Sequence, residues 1–359
     1  MIGIDPVRAW RQPGVIAALG AALLFGAGTP LAKSLLDDVG PWLLAGLLYL
    51  GSGLGLTAYR RLVNAPAVHL PRGELPWFLG AILTGGVVGP VLLMVGLSGM
   101  PASGASLLLN FEGVFTALIA WFAFRENFDR RIALGMAFIV AGAVVLGWTG
   151  EARFAGAWPT LAIVGACLAW GVDNNLTRKI SLADAAWVAS VKGLVSGLVN
   201  LGLAFSLGAS VPAWREAVGA MVLGLLAYGV SLALFVIALR HLGTARTGAY
   251  FSVAPFFGAL LAVLMGEPVA LPMLAAGGLM ALGVWLHLAE RHEHEHAHMM
   301  LSHDHEHVRD EHHQHGHEPP LTAGSKHHHP HWHQPQTHSH AHFPDTHHRH
   351  AHLSPTKRP

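Results

Sequence analysis

Up to residue 290 the chain alternates apolar runs of about 20 residues with short polar breaks. The runs lie near 14–33, 41–59, 76–98, 103–124, 132–149, 157–178, 185–207, 217–239, 244–265 and 271–290. A helix that crosses a hydrocarbon core of about 30 Å takes roughly 20 mostly apolar residues, so the pattern predicts ten transmembrane helices with short connections. Gly99, Met100 and Pro101 are almost the only break between the third and fourth.

Composition agrees with this reading. The chain has 359 residues, of which 52% are hydrophobic and 12% charged; ordinary soluble domains carry about 25% charged residues. The first 291 residues hold only 13 acids and 17 Lys/Arg, too few to solvate a globular protein of that size. A soluble enzyme is not expected. Cys167 is the lone cysteine, which excludes an intrachain disulfide and a multi-thiolate metal site.

Short cytoplasmic loops carry the positive excess. With the N-terminus inside, 13 basic residues (8, 11, 60, 61, 72, 125, 130, 131, 178, 179, 240, 246 and 291) fall on the cytoplasmic side. Lys33, Arg153 and Arg215 fall outside, and Lys192 lies within span seven. Both chain ends are therefore expected in the cytoplasm, with the protein multi-pass in the inner membrane.

GAALLFGAGTPLAK (20–33) aligns with GACLAWGVDNNLTR (165–178), with five identities in fourteen and a shift of 145 residues. LLLNFEGVFTALIAWFAFRE (107–126) aligns with GAYFSVAPFFGALLAVLMGE (248–267), bringing Phe115 onto Phe256 and Glu126 onto Glu267. Five spans per copy would invert the second copy relative to the first. Inverted repeats are a transporter architecture, with the substrate site near the midplane where the halves meet. The expected domains are a first repeat over 14–149, a second over 157–290 and a tail over 292–359. Span one has a counterpart in span six, so it is a structural element and not a cleaved signal peptide.

These segments, with GMAFIVAGAVVL (135–146) behind the first copy, resemble the EamA type of the drug/metabolite transporter superfamily. The resemblance covers about residues 14–290. It implies a ten-helix inner-membrane carrier, not an enzyme, with a central cavity lined by spans 1, 3, 4, 6, 8 and 9 and with spans 5 and 10 peripheral. It says nothing of the cargo. WGVDNNLTRKISLADA (170–185) together with a histidine-rich tail resembles a subgroup of that type, and the long tail departs from the usual compact C-terminus.

Glu112 is the most informative residue. It lies midway along span four, where a carboxylate is costly and should face a cavity or a partner. It reads as a proton-coupling or substrate-amine site, against a structural carboxylate bonded between helices. Asn110 sits about 200° around the helix from it, suited equally to helix-to-helix bonding and to cargo. Asp173, Asn174 and Asn175 either coordinate a polar substrate or cap and break the helix before Arg178 and Lys179. Lys192, about 10 Å into span seven, either pairs with Asp173 or Glu112 or snorkels to the cytoplasm, and snorkelling is favoured. Tyr228 and Tyr250 are candidates for a hydrogen bond to cargo or to a neighbouring helix. A structural salt bridge is expected between Arg125 and Glu126. Trp10, Trp42, Trp77, Trp121, Trp148 and Trp158 read as interfacial anchors. The pairs Gly51/Gly55, Gly85/Gly89 and Gly193/Gly197 have the small-xxx-small spacing of close helix packing.

Residues 292–359 hold 23 of the 26 histidines. With so few apolar residues the tail is expected to stay disordered. Imidazoles suit zinc, nickel, copper and cobalt, and the candidate ligands are His292, His294, His296, His298, His303, His305, His307, His312, His313, His315 and His317. No cofactor is required for transport. The expected partners are the bilayer, a small-molecule substrate and divalent metal ions at the tail; the pattern also allows a homodimer, and nucleic acid is not expected. The favoured function is proton-coupled export of a small organic metabolite. The alternatives are a transition-metal exporter using the tail as sensor or feeder, and a membrane-anchored metal buffer.

Overall fold

The structure, a computed structural model, describes residues 13–124, 130–148, 157–180, 183–288, 293–298, 301–307, 327–333 and 336–341. It divides into two compact units, Met1–Glu290 and Arg291–Pro359. The described residues of the first unit form helices and their connections: α1 (Pro13–Leu35), α2 (Pro41–Leu62), α3 (Leu75–Ala81), α4 (Gly89–Ser98), α5 (Ala102–Leu108), α6 (Phe111–Phe124), α7 (Arg130–Trp148), α8 (Ala157–Thr177), α9 (Ala185–Ser206), α10 (Trp214–Gly224), α11 (Ser231–Phe251), α12 (Ala254–Leu264) and α13 (Leu271–Leu288). A π-helical stretch, Ile82–Val88, joins α3 to α4, and a second, Leu225–Val230, joins α10 to α11.

Local sequence explains the helix starts. Proline occupies the first helical position of α2, where its missing N–H is not needed. Asp184 caps α9, its Oδ1 accepting the Trp187 N–H at 2.7 Å, as short polar residues do at this position. Among the described residues, six helices are long and apolar enough to cross a bilayer: Pro13–Leu35, Pro41–Leu62, Leu75–Ser98, Ala102–Ala123, Ala185–Ser206 and Trp214–Ala238. The other four expected positions carry α7, α8, α12 and α13. The run Ala254–Leu264 is short, and α8 is diluted by Asp173, Asn174 and Asn175.

Two boundaries differ from the hydrophobic pattern. No loop parts spans eight and nine near 240–243, because α11 runs unbroken from Ser231 to Phe251. That stretch, HLGTAR, has no proline and no cluster of turn residues to interrupt backbone bonding. The interruption comes later, at Ser252–Val253, where Pro255 offers no N–H to the Phe251 carbonyl. Span four is also broken, at Leu109–Asn110, between α5 and α6. There the Asn110 N–H bonds back three residues to Leu107 O, and the Glu112 N–H likewise to Leu109 O. The Asn110 side chain takes Leu107 O as well, at 2.8 Å, so it competes with the helical ladder.

Packing pairs the helices across the chain. The helix α2 lies along α9, α7 along α13, α1 along α11 and α12, α8 along α4 and α6, and α5 along α12. The α2–α9 crossing is glycine-made. A Cβ on Gly53 would stand 2.3 Å from the Leu194 backbone N, and one on Gly193 2.5 Å from the Gly53 N. The other small-xxx-small glycines are equally tight, with Gly51 against the Met221 carbonyl and Gly89 against Trp170. Large apolar side chains point outward instead, among them Phe122, Leu264 and Leu271, as a lipid-facing perimeter requires.

The second unit departs from the expectation of disorder. Glu293–His298 pairs antiparallel with Gln336–Ala341, and Leu301–His307 with His327–His333. The His-x-His-x alternation has the two-residue period of an extended strand, which supplies backbone pairing without an apolar core.

Candidate polar site within the helical unit

The site is built where α8 meets α6, α9 and the first π-helical stretch. Glu112 opens α6, directly after the break in span four. The Asn174 Nδ2 donates to Glu112 Oε1 at 2.8 Å and to Thr116 Oγ1 at 3.2 Å. Thr116 lies one turn beyond Glu112 and so shares its face. The next residue, Asn175, donates to the Thr116 carbonyl at 3.1 Å and to its own helix at Gly171 O, 2.9 Å. The two asparagines therefore tie α8 to α6 without breaking α8, which stays helical to Thr177.

Asp173 and Lys192 form an ion pair between α8 and α9. Both side chains are buried, with 8% and 4% exposure, so Lys192 does not snorkel. The reason is that Asp173 offers it a charged partner inside the protein, which outweighs a stretched route to the interface. Thr177 Oγ1 donates to the second carboxylate oxygen at 2.9 Å. Asp173 also rests on Gly85, where any Cβ would meet its Oδ2.

Pro90 explains the carbonyls gathered around this pair. Gly89 bonds back to Thr84 O, and Pro90 has no N–H to give to Gly85 O or Gly86 O. Gly85 O instead accepts Tyr49 Oη–H at 2.7 Å and Trp170 Nε1–H at 3.0 Å. Gly86 O accepts Asn200 Nδ2–H at 3.0 Å. Lys192, Ser196 and Asn200 are spaced by four on α9 and make one buried polar stripe.

The remaining candidates stand apart from Glu112. Asn110 is buried against Met280 at 3.7 Å, a helix-to-helix contact. Tyr228 sits in the second π-helical stretch, with its ring 5.3 Å from Tyr49 and 6.0 Å from Phe25. Tyr250 packs with Val15, Ala18, Ala238 and Leu242. The Arg125–Glu126 pair lies outside the described residues, as do His292, His312, His313, His315 and His317; nothing is described of the side chains of His294, His296, His298, His303, His305 and His307. Among the described residues no group of three or more His, Cys, Asp or Glu could hold a metal ion. Thr116, Tyr49, Trp170, Ser196 and Asn200 were not expected at the site. The four-residue spacing along span seven and the proline at 90 are the signals in the sequence that point to them.

The same arrangement can be set beside known proteins. The EamA-like transporter family matches residues 12–148. Over those residues the chain is similar to the EamA-like transporters. An uncharacterized transporter of Methanothermobacter thermautotrophicus is 28% identical to it over 298 residues, covering 78% of this chain and 86% of the relative. A probable amino-acid metabolite efflux pump of Salmonella typhimurium is 30% identical over 178 residues, 47% of this chain and 54% of that protein. A crystal structure with 21% sequence identity shares the fold, with a TM-score of 0.62, over 78% of this chain and 99% of its own. These similarities support an integral membrane transporter of small molecules and not an enzyme.

Proposed function

We propose that this EamA-like transporter exports a small organic metabolite in exchange for protons, with Glu112 as the coupling carboxylate. One observation carries the reading: Glu112 stands at a mid-span helix break and, among the described residues, accepts a side-chain hydrogen bond from the neutral Asn174 alone. The nearby Asp173 carboxylate, by contrast, is already neutralised by Lys192. A carboxylate in the membrane interior without a cation is a functional site by default, and it can hold a proton in one state and a cargo donor in the other. The relatives named for amino-acid metabolites make that class the first cargo to assay.

The carrier frame we propose has ten spans in two inverted five-helix repeats, residues 14–149 and 157–290, in the inner membrane with both ends cytoplasmic. Three features support it. The π-helical stretches begin 143 residues apart, at Ile82 and Leu225. The span-four break at Leu109–Asn110 recurs at Ser252–Val253. The packing partners also keep their pattern when the halves are exchanged, since α8 meets α4 and α6 as α1 meets α11 and α12. In the same proposal the tail, residues 292–359, binds divalent transition metals on the cytoplasmic side and is not part of the cargo path.

The test is transport in proteoliposomes under an imposed pH gradient, with amino-acid metabolites inside. The wild type should move cargo against its gradient. Glu112→Gln, correctly folded by gel filtration, should not; unchanged transport by that variant rejects the coupling role.

A further inference from the structure

The turn between α4 and α5, residues 99–101, is clasped from both sides by oppositely charged residues far away in sequence. Lys33, at the end of α1, donates from Nζ to Leu97 O at 2.8 Å and Ser98 O at 3.4 Å, the last carbonyls of α4. Glu267, in the connection between α12 and α13, accepts the N–H groups of Ala102 at 2.7 Å and Ser103 at 2.8 Å, the first of α5. A cation at a helix C-terminus and a carboxylate at an N-terminus are each the favoured sign. Gly266, with φ of +105°, makes the turn that presents Glu267. A third side is closed by α8, since a Cβ on Gly99 would stand 2.6 Å from Pro159 Cγ.

Beneath the clasp the helices meet through glycine. A Cβ on Gly258 of α12 would meet Ser106 Oγ at 2.6 Å and Gly26 O at 2.7 Å, and one on Gly26 would meet Ala254 O at 2.2 Å. Ser106 Oγ is buried there without a hydrogen-bond partner. An interface of this kind is close but smooth, so α1, α5 and α12 can part without disengaging interlocked side chains. The charged groups above it are only half-buried, so water can solvate them on release.

We infer that Lys33 and Glu267 form a two-point latch that holds the α4–α5 turn shut over the outer end of the transport path. The latch opens when the carrier turns outward. This rests on the orientation proposed above, in which the 3–4 and 9–10 connections face outward. Removing the latch favours the outward-open state; losing the net worth of one charge-assisted hydrogen bond shifts that population about tenfold.

The test uses the full chain in Cys167→Ser with Ser106→Cys as the reporter below the latch, labelled by a membrane-impermeant maleimide. The double variant Lys33→Met, Glu267→Gln should label well over tenfold faster from outside, with each single variant between it and the parent. An equal rate in a protein that elutes as folded overturns the latch. Acceleration only from the inside overturns its outer placement and convicts the orientation instead. As a second measurement, Lys33→Cys and Ser98→Cys bridged by a reducible bifunctional thiosulfonate should stop transport, and reductant should restore it. Full transport by the bridged protein overturns the proposal.

Discussion

Removing one member of the buried Asp173–Lys192 pair should cost far more than removing both. Neither side chain is more than 8% exposed, and among the described residues Asp173 keeps only the Thr177 hydroxyl at 2.9 Å if the ammonium is removed. Gly85 closes the remaining side of the carboxylate, so it has no room to seek another partner. Breaking a buried pair typically costs roughly 3–5 kcal/mol, whereas replacing both partners with neutral groups of similar volume is often neutral or better. Lys192→Met and Asp173→Asn should each lower the melting temperature in detergent by about 10 °C, at roughly 2–4 °C per kcal/mol for a chain of this size. The double variant should melt within a few degrees of wild type. Thermal melts of the purified carrier followed by intrinsic tryptophan fluorescence give all four corners of the cycle. Additive losses, with the double variant as unstable as the two singles summed, would refute the account of the pair as mutual compensation.

Two other outcomes follow from the packing and the tail. Gly53→Ala drives a methyl group to 2.3 Å from the Leu194 backbone, so it should destabilise the α2–α9 crossing by about 1–3 kcal/mol; Gly202→Ala, inside α9 but facing open space, should hold or slightly raise the melting temperature. Deleting residues 292–359 should abolish retention on immobilised zinc or nickel while leaving metabolite transport intact. Loss of metal flux together with metal tolerance would favour a metal exporter instead.

Much of the fold was legible in the sequence because a bilayer imposes a length on every apolar run. The first three runs sit on helices within a few residues of their expected ends. The boundary between spans eight and nine was not legible, since hydropathy dips at Arg240 and His241 while the backbone stays helical. The span-four break was hidden because one asparagine within an apolar run does not by itself mark a helix interruption, and its cause is a side chain competing for a carbonyl. At the site, Glu112 was marked by its own charge in an apolar run. Its partner Asn174 lies 62 residues away, and only three-dimensional packing decides which of the polar residues on α8 it meets. For Lys192 the sequence favoured snorkelling, because position alone does not show that Asp173 lies within reach; the packing of α8 on α9 brings that carboxylate to it and overturns the reading. The convergence of Tyr49 and Trp170 on Gly85 depends on a carbonyl released by Pro90, a consequence of backbone geometry that residue type alone only hints at.

The exchange of protons for cargo at Glu112 is tested most directly by cargo-evoked proton release. Purified carrier in weakly buffered detergent solution is titrated with amino-acid metabolites while a pH-sensitive dye is followed. The account predicts that a bound cargo expels a proton from the wild type and none from Glu112→Gln. Equal proton release from both proteins, or cargo binding to the wild type with no release across the titrated pH range, would contradict it.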